Sequence, residues 1–326
     1  MKRIIISIIL VLLGAGVLLY PSVSNFLSER NGSEAIREYN QKVDDYDEAT
    51  LRALWDEAEL YNENLTGSPV HDPFLEGTGI AMPENYRALL DLDGVMGYIE
   101  IPKISVYLPI YHGTSLQVLN MGVGHLEGST LPIGGKSRHS VLTGHTGLTN
   151  ARMFTDLTEL EVGDQFYIHI LGQTLAYQVD QVKTIEPNIT SDLGRFVDKD
   201  YCTLLTCTPY GVNSHRLLVR GERVDYIPAV KDAIEPVASS STDKLLFRAA
   251  VIASVVMLGG ILVTIVIVWR RKKKAQPPII ISLKDGETLQ EGESLDKRKS
   301  KDKRGRVDKG KNTPEVEPVI VEKNDG

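Results

Sequence analysis

Cysteine is scarce in this 326-residue chain, which has only Cys202 and Cys207. An even pair in an oxidising compartment invites a disulfide reading. An offset of five on one strand, however, turns the two side chains to opposite faces, outside bridging geometry. The sequence therefore argues against a disulfide-stapled scaffold, and a free thiol must be explained by its chemistry. Metal-ligand spacings are missing too: no His-Glu-x-x-His, Cys-x-x-Cys or His-x-His pattern occurs among the seven histidines, so neither metal nor cofactor is expected. There is no Walker loop and no dinucleotide-binding glycine pattern. Aromatic residues make up 6% of the chain, with none after Trp269. Positive charge is short where it would matter for nucleic acid. Residues 21–247 carry 32 Asp/Glu against 17 Lys/Arg, a net of −15, which excludes a counterion-displacing surface.

Two apolar runs stand out. Residues 4–20 follow Lys2 and Arg3, and residues 249–269 are closed by five basic residues at 270–274. Roughly 20 apolar residues match the hydrocarbon core of a bilayer, so both runs read as transmembrane helices in contact with membrane lipid. For the first, a cleaved signal peptide is the alternative, but the region after Tyr20 lacks a clear small-x-small cleavage site. Basic flanks put both termini in the cytoplasm and residues 21–247 outside.

Between the runs, residues 33–63 read as an acidic, solvated helix with Ser33 as a cap. Residues 66–83 hold Gly67, Pro69, Pro73, Gly77, Gly79 and Pro83 and form a long loop. Glu84–Leu92 offers a short helix. From Val95 the chain turns to short strands, at 97–101, 106–111, 121–125, 139–143, 165–170, 174–184, 203–207 and 215–221, the pattern of a barrel or sandwich. The expected divisions are an anchor at 1–20, a helical region with its loop at 21–94 and a barrel at 95–228. A tether at 229–248, a second spanning helix at 249–269 and a basic tail at 270–326, too charged to fold, complete the chain.

Within Thr203-Leu204-Leu205-Thr206-Cys207-Thr208-Pro209-Tyr210-Gly211-Val212-Asn213-Ser214-His215-Arg216, an apolar strand leads to a turn and a second strand. A hairpin symmetric about Gly211–Val212 sets Cys207 opposite Arg216, where a guanidinium favours thiolate and can donate to an oxyanion. The same spacing also fits a small buried hydrophobe beside a surface arginine. A cysteine nucleophile needs a proton-transfer partner. His145, between Gly144 and Gly147 at a strand end, leads among the histidines. His125 is a weaker rival. His139 and His169 lie inside strands, His215 faces away from Arg216, His71 sits in the long loop and His112 precedes a turn.

Thr203-Leu204-Leu205-Thr206-Cys207 with Arg216 nine residues on resembles the sortase signature, and Leu142–Leu157 resembles the sortase histidine region. The Asp72-Pro73-Phe74 triplet in the long loop, with a helix before the barrel and an apolar run after it, is similar to the class C, pilus-assembling sortases. The resemblance implies a mainly β fold: a closed barrel of about eight strands with N-terminal helices and two flanking transmembrane helices. It implies Cys207 as nucleophile, His145 as general acid/base and Arg216 as oxyanion or substrate stabiliser. It also implies a lid in which Asp72 approaches Arg216 and Phe74 covers Cys207. The implied reaction cleaves a Leu-Pro-x-Thr-Gly-like sorting signal between Thr and Gly and transfers the acyl group to a pilin lysine. Partners would be pilins or surface proteins bearing such signals, at the membrane of a Gram-positive bacterium. The alternatives are a housekeeping sortase using a cell-wall precursor amine, a hydrolytic surface protease and a non-catalytic binding domain. The tail beyond the second run is longer than the resemblance implies.

Overall fold

The computed structural model describes residues 2–65, 70–75, 85–148 and 151–234, scattered positions between 251 and 270, and the segments 280–282 and 288–290. The chain forms two compact units, 1–257 and 258–326. In the first, α1 (Lys2–Asp45) and α2 (Glu48–Asn64) precede the sheet. The strands follow as β1 (Val95–Ile101), β2 (Val106–His112), β3 (Val123–His125), β4 (Arg138–Thr143), β5 (Gln165–Ile170), β6 (Gln173–Ile185), β7 (Asp200–Thr208) and β8 (His215–Val224). They close in the order β1-β2-β3-β4-β7-β8-β6-β5. Closure leaves no strand edge open, and the strands supply an inward face of Ile99, Ile101, Ile110, Phe166, Ile168, Leu204 and Val219, all fully buried. Two short helices, α3 (Leu116–Met121) and α4 (Pro228–Asp232), decorate the barrel.

The helical region differs from expectation. The segment read as one helix over 33–63 is broken at Tyr46, because Asp47 caps a new helix by accepting from the Thr50 N–H at 2.8 Å. Ser33 caps nothing: α1 runs unbroken through it and through Pro21, and the Ser33 hydroxyl donates to the Glu29 carbonyl at 2.8 Å. Nor are the helices a solvated layer. Ile36, Tyr39 and Val43 recur at helical spacing and are buried. The Tyr39 hydroxyl donates to the Met96 carbonyl and accepts from the Leu171 N–H at 2.7 Å, tying α1 to the barrel. In place of the helix expected over Glu84–Leu92, the described residues hold a single 3-10 turn, Tyr86–Ala88, which ends at extended Leu89 and is followed by left-handed Leu90. The stretch expected as a strand from Met121 begins at Val123, since Ser115 caps α3 by accepting from Val118 N–H.

Among the described residues, no helix is long and apolar enough to cross a membrane. Several side chains of the first apolar run and many positions of the second lie outside those residues, although the described positions between 251 and 270 are helical. In the second unit Ile280–Ser282 (β9) pairs antiparallel with Thr288–Gln290 (β10), so the tail contains a short hairpin. Most of the tail and of the tether lies outside the described residues, as do 66–69 and 76–84 of the long loop.

The end of α2 is tied to the barrel through a buried amide. Asn62, at the end of α2 and 1% exposed, donates to the Leu131 carbonyl at 3.2 Å and accepts its N–H at 2.7 Å. Asn62→Ala leaves the buried Leu131 N–H without this partner, while the Leu131 carbonyl keeps the Ile133 N–H at 2.8 Å; it is expected to lower unfolding stability by about 1–3 kcal/mol, read from the denaturant midpoint with the slope unchanged.

Candidate active site

β7 carries the site because of what it pairs with on its two sides. Antiparallel β8 sets Cys207 opposite Arg216, the pairing expected from the hairpin's symmetry. Parallel β4 sets Thr143 opposite Leu205. That offset of 62 also separates His145 from Cys207. The ladder is carried past the end of β4: the Gly144 N–H donates to the Leu205 carbonyl at 3.1 Å, and the Gly144 carbonyl accepts from Thr206 Oγ1 at 2.7 Å. His145 therefore leaves its strand level with Cys207.

The turn holding His145 is pinned from within. The Phe154 N–H donates to the His145 carbonyl at 3.0 Å, and the Gly147 N–H donates to Thr155 Oγ1 at 3.2 Å. The buried Phe154 ring lies over Gly144, where a Cβ would come within 2.8 Å of it. Glycine is required there by close approach rather than by its torsions. Thr206 and Phe154 fall inside the two motifs, but the sequence assigned neither a role. Thr206 was legible only as a hydroxyl in an apolar strand, and nothing local marks Phe154 as a cover.

The opposite wall comes from the long loop. Asp72 and Arg216 are each 4% exposed and joined from Nε to Oδ2 at 2.6 Å. Nη1 of Arg216 donates to the carbonyls of Asn213 and His215, both at 3.1 Å. The other carboxylate oxygen of Asp72 accepts from the Phe74 N–H at 2.8 Å, folding Asp72-Pro73-Phe74 into a turn. That turn sets the Phe74 ring 5.1 Å from the Arg216 guanidinium carbon, a cation–π distance, and 5.6 Å, centre to centre, from the His145 ring. Val70 and Phe74 also pack against Leu126, Val141, Ile185, Leu193, Leu205 and Leu218. Among the described residues of the loop, a buried ion pair, the Phe74 ring and a small apolar cluster hold it against the barrel. Removing either charge leaves the other desolvated, a change that costs about 3–5 kcal/mol in buried pairs.

These neighbours set the protonation states. Burial, with a smaller push from Asp72, raises the Cys207 thiol to about 11, while Arg216 pulls the other way. Burial lowers the His145 imidazole below its ordinary value. At neutral pH both groups are uncharged with the loop in place.

The other histidines are occupied by structure. His125 is fully buried between the Tyr86 hydroxyl (2.8 Å) and the Thr130 carbonyl (2.9 Å), and burial lowers it to about 4. His139 bridges the Gly194 carbonyl and Thr203 Oγ1, and is likewise lowered to about 4 by burial. His112 contacts the Leu89 carbonyl, and His169 stacks on Tyr98 beside Glu100. His215 is exposed beside Ser214 and His71 is exposed in the loop. Cys202 is fully buried opposite Gly221, and both cysteines are free thiols.

Residues 99–224 match the family model of the sortase domain. The fold is similar to sortase C-1 of Streptococcus pneumoniae, with a TM-score of 0.57 and 47% identity over 60% of this chain and 100% of that one. It is also similar to a pilus-related sortase C of Group B Streptococcus, with a TM-score of 0.55 and 42% identity over 58% of this chain and 97% of that one. Sortase D of Bacillus subtilis (strain 168) is 33% identical over 131 residues, and the match spans 39% of this chain and 63% of that protein's length.

Two substitutions separate the loop's influence from the barrel's. Asp72→Ala and Phe74→Ala are each expected to speed alkylation of Cys207 by a small thiol reagent at pH 7. The inflection of rate against pH should move below about 11, because a lost anion and reduced burial both favour thiolate. Unchanged rates would show that the loop does not shield the sulfur.

Proposed function

We propose, starting from the fact that this chain belongs to the sortase family of cysteine transpeptidases, that it is a class C enzyme joining pilin subunits. What carries the reading is the meeting of Cys207, Arg216 and His145 at one end of the barrel beneath the Asp72–Phe74 turn. The likeness to pilus-related solved structures supports the assignment to this class.

In the proposed reaction, a Leu-Pro-x-Thr-Gly-like sorting signal displaces the Asp72–Phe74 turn, which frees Arg216 from its carboxylate partner. Cys207 gives its proton to His145 and the sulfur attacks the Thr carbonyl carbon, forming a C–S bond. Arg216 donates to the resulting oxyanion. The C–N bond to Gly then breaks as His145, now imidazolium, returns the proton to the leaving amine, and a thioester remains on Cys207. A neutral lysine amine of the next pilin attacks that carbonyl carbon and gives a proton to His145; the C–S bond breaks, and His145 returns that proton to the leaving sulfur, restoring the Cys207 thiol. Keeping water from the thioester favours the amine over hydrolysis. Withdrawal of the loop is required at the outset, because a protonated thiol beside a neutral imidazole is a poor nucleophile.

We place the catalytic unit outside a Gram-positive cell, held by the apolar runs 4–20 and 249–269 with both termini inside. The basic residues at the outer end of each run support this orientation. Protease added to intact cells should cut between the runs and leave the tail protected; a digested tail would overturn it.

The assignment of roles is tested by mass spectrometry with a sorting peptide. Cys207→Ala should abolish the acyl-enzyme adduct, and persistence of the adduct would remove Cys207 as nucleophile. His145→Ala and Arg216→Ala should each slow turnover by about 100-fold or more; near-normal rates would remove that role. Competition between a pilin lysine and a peptidoglycan-like amine should favour the lysine. Preference for the wall amine would identify a housekeeping enzyme, and water as sole acceptor a protease.

A further inference from the structure

α1 does more than lead into the barrel. Its inward stripe starts beside the first apolar run and continues to the helix end: Ser22, Asn25 and Ser28 are half-buried, and Gly32, Ile36, Tyr39 and Val43 are buried. Every step along the stripe is three or four residues, as one helix face requires. Val23, Phe26 and Leu27 point the other way and are exposed. The lower part of the stripe is polar or small, so apolar packing does not explain why it faces the protein.

A directional contact does. Asn25 Oδ1 accepts the backbone N–H of Arg152 at 2.8 Å, across 127 positions of sequence. The amide is oriented for this, because Asn25 Nδ2 donates to the Glu29 carboxylate at 3.0 Å and leaves the oxygen facing Arg152. Arg152 belongs to the segment that folds back on His145. Two residues on, the Phe154 N–H holds the His145 carbonyl, and Thr155 Oγ1 accepts from Gly147. Met153, between the helix contact and the histidine contact, has a φ of +42°, a left-handed turn that few side chains adopt freely. Such a turn persists where its neighbours fix it. Asn25 supplies a fixed point on one side and Phe154 on the other.

We infer that Asn25 is a positioning residue for catalysis: it braces the 145–156 loop from the helix that continues the first apolar run. The bond couples the placement of that helix to the placement of the imidazole. The inference rests on the proposed acyl-transfer role of His145, and it extends the working site to a segment lying before the matched domain at 99–224.

The full chain in lipid nanodiscs is the test material, with Asn25→Ala and with Asn25→Asp in a Glu29→Gln background. Two readouts are needed: hydrogen exchange of the backbone amides over 145–156, and kcat and KM for a sorting peptide with a lysine acceptor. Asn25→Ala is expected to speed exchange at Arg152 and through the loop while Leu204 in β7 stays protected. It should also lower kcat by about three- to tenfold, the range one neutral hydrogen bond sets, with KM unchanged. Asn25→Asp in a Glu29→Gln background, which keeps the acceptor oxygen without setting it beside a second carboxylate, should restore both. Wild-type exchange over 145–156 in Asn25→Ala overturns the brace. Faster exchange with unchanged kcat overturns the positioning role. Failure of the wild-type chain to form an acyl-enzyme overturns the catalytic reading instead, and the exchange result still decides whether the brace exists.

Discussion

The parallel pairing of β4 with β7 is the constraint on which the rest of the site depends. Hydrogen bonds along that ladder fix an offset of 62 residues, and the strand ends bring a histidine turn and a cysteine level with each other. Antiparallel strands can be joined by a short hairpin, as β7 and β8 are, so Cys207 meets Arg216 through local chain geometry. A parallel neighbour needs a long crossover, and here the intervening chain supplies β5, β6 and the Phe154 cover. The imidazole is thus placed by the closed barrel as a whole, whereas the guanidinium is placed by its own hairpin.

This difference explains what could be read from the sequence. The strands were legible as short apolar or β-branched runs separated by turn residues, partly alternating in Gln165–Ile170 and apolar in the run into Cys207. The Cys207–Arg216 register followed from counting about the turn. The meeting of β4 with β7 left no local trace, and His145 stood out only through its glycines and its family likeness. The helices misled in the opposite direction: acidic composition between residues 34 and 63 hid a narrow buried stripe of Ile36, Tyr39 and Val43. Contacts such as Asn62 with Leu131 join positions 69 apart. A single amide carries no signature of its distant partner.

Arg216 illustrates how one side chain can serve two states. In the structure its Nε donates to Asp72 and its Nη1 to two backbone carbonyls, so its charge is compensated although it is nearly excluded from water. A buried guanidinium without the carboxylate would be strongly unfavourable. Any ligand that displaces Asp72 has to bring an acceptor of its own, or a transition state that develops one. Selection for an oxygen-rich group at this position is thus built into the desolvation of the arginine. Phe74 adds a weaker condition, since its contacts with Arg216 and His145 are lost at the same time.

The sealing of Cys202 inside the barrel has a redox consequence. With the Cys207 thiol held at about 11, thiolate at pH 7 amounts to about one molecule in ten thousand, and peroxide attacks thiolate rather than thiol. Once oxidised to a sulfenic acid, Cys207 would have no second sulfur within the chain to condense with, because Cys202 faces the core on the other side of the strand. Recovery would then have to come from an external thiol before over-oxidation made the loss permanent.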